Sequence, residues 1–223
     1  MTSDVFVIVA AHNEADRIAA TLAALSATFP SASLWVADDG SSDGTGTAAQ
    51  GAGATVVRSE RVVGKGGAVT LAAREALASE GSIALLCDGD LGESAALLGP
   101  LVEAVRRGEA DLVVAAFSKR VGGGFGLAVG FAAWAIRRRC GLALRAPISG
   151  QRALRANTLA QVLPFAHGFG MEIGMTIDAV RAGARVGEVE LDLSHRATGR
   201  TLGGFIHRGR QLVDFVRVYL ARR

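Results

Sequence analysis

The sequence predicts an α/β fold: a mostly parallel sheet flanked by helices, in a single domain that ends in an amphipathic helix. Three observations point there. Apolar runs of strand length alternate with stretches of helical periodicity from Asp4 to Phe117, and that alternation builds βαβ units and a parallel sheet. The strand runs are continuously apolar, as in Val5-Phe-Val-Ile-Val9, which marks strands covered on both faces. Half of the 223 residues are hydrophobic, 20% are charged, and Gly reaches 29 against 4 Pro. Such a composition excludes a disordered or fibrous chain and suits tight turns between helices and strands.

Element by element, Asp4 to Ala10 is the first strand, and Asn13 is placed to cap a helix carrying Ile18, Leu22, Leu25 and Phe29 on one face. Ser33 to Ala37 is a second strand, and its polar exit loop, Asp38 to Thr45, leads to a short helix through Gln50. Thr55 to Arg58 is a third strand, and Gly64-Lys-Gly-Gly67 opens a helix through about Ser79. Ser82 to Cys87 is a fourth strand, followed by Asp88-Gly-Asp90 and a helix bearing Leu97, Leu98, Leu101, Val102 and Val105. Asp111 to Phe117 is a fifth. The rhythm then breaks: a glycine turn at 122–124, an apolar helix ending in Arg137-Arg-Arg139, the segment Ile148-Ser-Gly-Gln-Arg-Ala153, a helix from about Met171, a strand near Arg185 to Leu191, and a last amphipathic helix from about Gly203 to Leu220. No linker interrupts the chain, so residues 1–223 form one expected domain, with a ligand-binding half (1–117) and a second functional half (118–223).

Lys+Arg totals 24 and Asp+Glu 21, a net charge of +3, too small a surplus to argue for nucleic acid. Its placement says more, because residues 196–223 carry seven Arg and one carboxylate, Asp214. Cys87 and Cys140 make neither a disulfide framework nor a metal-ligand pair, which points to a reducing cytoplasm. Asp4 interrupts any N-terminal apolar run, so no signal peptide is expected. The most apolar stretch, Gly122 to Ile136, falls short of the about twenty residues a spanning helix needs. The expectation is a soluble cytoplasmic protein, with peripheral contact at the inner face of the membrane through the last helix. That helix serves equally as a cover for the core.

Open parallel sheets bind ligands where the C-terminal ends of their strands converge. Four polar clusters sit there: Ala11-His-Asn-Glu14, Asp38 to Asp43, the Lys65 loop and Asp88-Gly-Asp90. At a strand's frayed end, residues two apart point the same way, so Asp88 and Asp90 suit one hard divalent cation, Mg²⁺ or Mn²⁺, which in turn bridges diphosphate oxygens. Lys65 among its glycines suits a phosphate, although the spacing matches neither a Walker A loop nor G-x-G-x-x-G.

Together Val7-Ile-Val-Ala-Ala-His-Asn-Glu14, Asp38-Asp-Gly-Ser-Ser-Asp-Gly-Thr45, Gly64-Lys-Gly-Gly-Ala68 and Cys87-Asp-Gly-Asp-Leu91 resemble the family 2 glycosyltransferases of GT-A fold. Phe117-Ser-Lys-Arg120, Ile148-Ser-Gly-Gln-Arg-Ala153, Gly168-Phe-Gly-Met-Glu172 and His195-Arg196 with Gly199-Arg-Thr-Leu202 are most similar to the dolichyl-phosphate mannose synthase and polyprenyl-phosphate branch. The resemblance implies an inverting, metal-dependent hexosyltransferase that uses a UDP- or GDP-linked donor. It implies that Ala11, Asn13, Glu14 and Asp39 hold the nucleoside and that Asp88 and Asp90 hold the metal on the diphosphate. Lys65 and Arg200 are donor-side candidates, and Asp90, Arg120 and Arg196 are catalytic candidates. Three positions depart from the pattern: Ala10 where Pro is common, His12 for an aromatic, and Gly92 where the branch places a metal-site Gln. Glu93, His195 or water would stand in for that Gln.

A hydroxyl acceptor needs a general base, and Glu172 is the best candidate. A phosphate acceptor needs positive charge and positioning instead, and Arg120, Arg137, Arg152, Arg196 and Arg200 supply cations. The expectation is therefore a phosphorylated, polyprenyl-type acceptor. A small soluble acceptor such as phosphoglycerate and a non-catalytic nucleotide-sugar-binding module are the alternatives.

Overall fold

The computed structural model describes residues 4–78, 81–117, 127–193 and 202–222. Its centre is a seven-stranded sheet of β1 (Val5–Ala11), β2 (Ser33–Asp38), β3 (Thr55–Arg58), β4 (Ile83–Asp88), β5 (Leu112–Phe117), β6 (Arg152–Arg155) and β7 (Val186–Leu191). The order across it is β3-β2-β1-β4-β6-β5-β7. β1, β2, β3 and β4 run parallel, as do β5 and β7, while β6 is inserted antiparallel between β4 and β5.

Alternate residues of the apolar strands feed opposite layers. Val5, Val7, Val9 and Ala11 of β1 face one core with Ile83, Leu85 and Cys87 of β4. Phe6 and Ile8 face the other with Ala84 and Leu86. A fully buried side chain of this size contributes about 1.5–3 kcal/mol, so register is fixed from both sides. The helices α1 (Ile18–Thr28), α2 (Thr45–Gly51), α3 (Lys65–Ala76), α4 (Gly99–Arg106), α5 (Leu127–Cys140), α6 (Ala156–Val162), α7 (Met171–Arg181) and α8 (Leu202–Ala221) flank the sheet. A third apolar cluster joins Ala132 and Ile136 of α5, Ile173 and Ile177 of α7, and Phe215 and Val218 of α8.

The structure departs from the sequence reading in four places. Asn13 does not cap α1: it sits at φ 56, and the helix starts only at Ile18. Its amide oxygen instead accepts the backbone N–H of Ser42. The fourth helix begins as a 3-10 turn over Gly92–Leu98 before α4. α6 and the four-residue β6 have no periodicity to announce them. Last, Arg152 is no anion binder, because it is fully buried and its guanidinium donates to the carbonyls of Ser149, Glu172 and Pro147.

Candidate active site

The loops after β1 and β2 are laced together. Asn13 N–H donates to Ser41 Oγ, Glu14 N–H to Thr45 Oγ1, and Ala15 N–H to Asp43. Asp39 N–H donates to the carbonyl of Ala11. His12 Nδ1 lies 2.8 Å from the Asp39 carbonyl, which only accepts, so this nitrogen carries the proton. The His12 Nε2 then accepts from Asn13 at 3.2 Å. Asp43 is held below its usual carboxylate range, chiefly by the Thr45 hydroxyl. Asp38 is fully buried, with one oxygen on Ser41 N–H and the other facing Arg58 at 3.5 Å.

Asp39 reaches the next loop. Its Oδ1 accepts the N–H groups of Val63, at 2.7 Å, and Gly64, at 3.1 Å. Gly64, at φ 82, precedes the first residue of α3, Lys65. The clamp thus fixes where α3 starts and where the Lys65 side chain leaves it.

Lys65 is the hub of the site. Its Nζ lies 2.6 Å from Asp88 Oδ1 and 2.9 Å from Glu172 Oε1. Burial favours the neutral amine, but the two carboxylates outweigh it and raise the ammonium well above the ordinary lysine range. Asp88 Oδ2 accepts Gln151 Nε2 at 2.7 Å, and Ser149 Oγ donates to Gln151 Oε1, which orients the amide. Both oxygens of Asp88 are therefore engaged. The thiol of Cys87, next to it, is pushed up by burial.

The antiparallel β6 is what brings Gln151 here. Leu86 pairs with Arg152, so the two residues before Arg152 lie beside the two after Leu86. Space is tight, because a Cβ on Gly150 would stand 2.5 Å from Lys65 Nζ and 2.7 Å from Asp88 Oδ2. Glu172 opens α7, and the Arg152 guanidinium holds its carbonyl at 3.0 Å and Thr176 Oγ1 at 2.9 Å. Burial lowers Arg152 to about 10, leaving it charged at neutral pH.

The turn carrying Asp90 is pinned to α1. Thr21 Oγ1 donates to the Gly89 carbonyl at 2.7 Å and accepts Gly92 N–H at 2.8 Å, while Arg17 donates to the Asp90 carbonyl at 3.3 Å. Among the described residues, no three His, Cys, Asp or Glu side chains gather into a cation cage. Mg²⁺ and Mn²⁺ do not require one, since Mg²⁺ keeps waters and takes one or two carboxylates together with substrate phosphates. A carboxylate on a pinned turn at the sheet's ligand end fits such an ion.

The structure thus brings Asp39, Lys65, Asp88 and Glu172 into one bonded network, with Ala11, Asn13, Glu14 and the Asp90 turn around it. Arg120, Arg196 and Arg200, with His195, lie outside the described residues. Sequence reasoning missed Gly150 and Gln151, Thr21 and Arg17. For the first two the signal was a Ser-Gly-Gln run ahead of a short strand; the pinning residues gave none.

A family model, Glycosyl transferase family 2, matches residues 6–168. Undecaprenyl-phosphate mannosyltransferase of Micrococcus luteus is 32% identical over 98% of this chain and 95% of its own length. Among solved structures, glucosyl-3-phosphoglycerate synthase from Mycobacterium tuberculosis in complex with Mn²⁺, UDP and phosphoglyceric acid superposes with a TM-score of 0.80 at 30% identity. That match covers 99% of this chain and 78% of the other. The same enzyme with Mg²⁺ and UDP gives a TM-score of 0.78 at 28% identity, over 99% and 79%.

Proposed function

The chain belongs to glycosyl transferase family 2 and is a glycosyltransferase, and from that premise we propose that it moves a sugar from a UDP- or GDP-linked donor to a polyprenyl-phosphate acceptor. The acceptor rests on one observation: the Micrococcus luteus enzyme, named for an undecaprenyl-phosphate acceptor, is related over nearly the full length of both chains. The specific likeness to glucosyl-3-phosphoglycerate synthase complexes supports a second reading in which the acceptor is phosphoglycerate.

Either acceptor presents a phosphate, and the site's chemistry agrees. A polyprenyl-phosphate oxygen is already anionic and needs no proton removed before it attacks the anomeric carbon, from the face opposite the departing nucleoside diphosphate, whereas a hydroxyl of phosphoglycerate would have to give up its proton to a base. Glu172, with an oxygen on the Lys65 ammonium, acts here as a positioning residue for that lysine rather than as a base. Asp88 shares the task, and Gln151 fixes Asp88. Lys65 supplies positive charge at the strand mouth, where the donor diphosphate lies. Asp39 sets the loop that carries Lys65, and the laced segment Ala11 to Glu14 forms the nucleoside side. Asp90 would hold Mg²⁺ or Mn²⁺, while Asp88, expected to share the ion, has its two oxygens engaged by Lys65 and Gln151. Such an ion, when bound, neutralises charge growing on the departing nucleoside diphosphate. Arg120, Arg196 and Arg200 are the remaining candidates for anion contact, and the acceptor places the work at the inner face of the membrane.

Purified protein incubated with Mn²⁺, a panel of UDP- and GDP-sugars, and either undecaprenyl phosphate or 3-phosphoglycerate tests the reading. Release of nucleoside diphosphate with the lipid alone is expected. Release with phosphoglycerate alone would select the second reading, and release with neither would remove both acceptors.

A further inference from the structure

Lys65 and Glu172, which meet at the site, both hang from helix starts. Lys65 is the first residue of α3 and Glu172 the second of α7, and a 3-10 turn over Gly168–Gly170 runs straight into α7. The two starts touch backbone to backbone. A Cβ on Gly66 would collide with the carbonyl of Ala166, and one on Gly64 would stand 3.1 Å from the Gly168 backbone. Close-packed backbone transmits a displacement rather than absorbing it. A shift of the 166–170 segment therefore reaches Lys65 through α3 and Glu172 through α7.

The far side of that turn rests on α8. Asp214 Oδ2 accepts the N–H of Phe169 at 3.2 Å. This donor belongs to the first turn of the joined helix, where backbone N–H groups find no acceptor inside the helix and the dipole favours a carboxylate. Asp214 is thus a cap supplied from another helix. The fit leaves no slack, since a Cβ on Gly168 would collide with Asp214 Oδ2 and one on Gly170 with Val218 of α8. α8 is itself fixed to α7: Phe215 and Val218 are buried with Ile173 and Ile177, and Arg222 lies 2.5 Å from Asp178. Asp214 Oδ1 faces Arg217 at 3.3 Å, but that side chain is 76% exposed, so the pair contributes little. The contact with Phe169 N–H is the one that holds the turn.

We propose that Asp214 is a positioning residue for sugar transfer: from α8 it fixes the 168–170 turn, and the turn sets where the Lys65 ammonium meets the donor diphosphate. This rests on the reading of Lys65 as a cation for that diphosphate, and it holds whichever acceptor is used. Asp214 touches neither donor nor acceptor in this role. It acts on Lys65 by way of Gly168 and Gly64, and on Glu172, which lies 2.9 Å from Lys65 Nζ, by way of the start of α7. A misplacement of about 1 Å at such a charged contact is enough to be felt by the ligand.

Equilibrium binding of UDP and GDP to the full chain, with Mn²⁺ present, tests the role. Asp214→Ala removes the cap and should weaken the nucleotide that the wild type binds by about tenfold. Asp214→Asn keeps an oxygen for Phe169 N–H and should recover most of that loss, while Arg217→Ala should bind as the wild type does. The decisive comparison adds Asp214→Ala to Lys65→Gln. A cap that works through Lys65 has nothing left to position there, so the added substitution should cost less than about twofold. Melting temperature should fall by a similar amount in both backgrounds, because the cap is lost in both. An equal loss of affinity in both backgrounds would make Asp214 merely structural and overturn the proposal, as would an Asp214→Ala protein that binds as tightly as the wild type. If Asp214→Ala fails to fold, Gly170→Ala, whose methyl would push Val218 off the turn, takes its place in the same two backgrounds. A wild type that binds neither nucleotide would instead overturn the donor reading, and the proposal with it.

Discussion

The two ends of the sheet use the same charged groups for different ends. At the C-terminal ends of β1, β2 and β4, Lys65 is shared by Asp88 and Glu172, with Gly150 against them and Gln151 locking one carboxylate. At the opposite end, Asp111 precedes β5 and accepts from Arg155 and Arg185, at the ends of β6 and β7 that lie beside it. There the arginine side chains are 39% (Arg155) and 60% (Arg185) exposed, and exposed pairs contribute little. The contrast teaches where the fold tolerates change. A displacement of 1 Å matters at the first end and is absorbed by solvent at the second.

Gly150→Ala should show the largest effect. The added Cβ would push on Lys65 Nζ and Asp88 Oδ2, which are ends of side chains able to move, so the fold should survive. Transfer should not, with kcat/KM falling about a hundredfold at an unchanged melting temperature. Full activity in that variant would mean that the network is not used.

Asp111→Asn should give the smallest effect, and on stability alone. Hydrogen bonding from Arg185, first of all, holds the Asp111 carboxyl at about 2, below its usual 3.8. A depressed carboxyl stabilises the fold above the unfolded value, and the contribution fades as pH falls from 3.8 through 2. At neutral pH the loss should be about 1 kcal/mol after solvent screening, or roughly 2–4 °C in Tm. The gap from wild type should close in acid, and transfer should be unaffected. A melting curve recorded against pH checks both points. A loss of transfer would erase the distinction between the ends.

Much of this was legible in the sequence. The five strands through Phe117 announced themselves as apolar runs, and the polar loops at their ends held Asp39, Lys65 and Asp88. What stayed hidden depends on contacts between distant segments. β6 has four residues, two of them Arg, so neither length nor hydrophobicity marks a central strand. Its antiparallel insertion is what carries Gly150 and Gln151 to Asp88. Arg152 reads as a surface cation until the carbonyls that enclose it are seen. Asn13 reads as a cap by residue type, yet its backbone at φ 56 turns it toward Ser42.

The strand mouth around Asp88-Gly-Asp90 is where a divalent ion and a nucleoside diphosphate would bind together. Calorimetric titration of UDP and GDP into the protein, with Mn²⁺ and then with a chelator, measures it directly, in the wild type and in Asp90→Ala. One of the two nucleotides should bind with Mn²⁺ and about a hundredfold more weakly without it or in the variant. Affinity that ignores both the ion and the substitution would contradict the account.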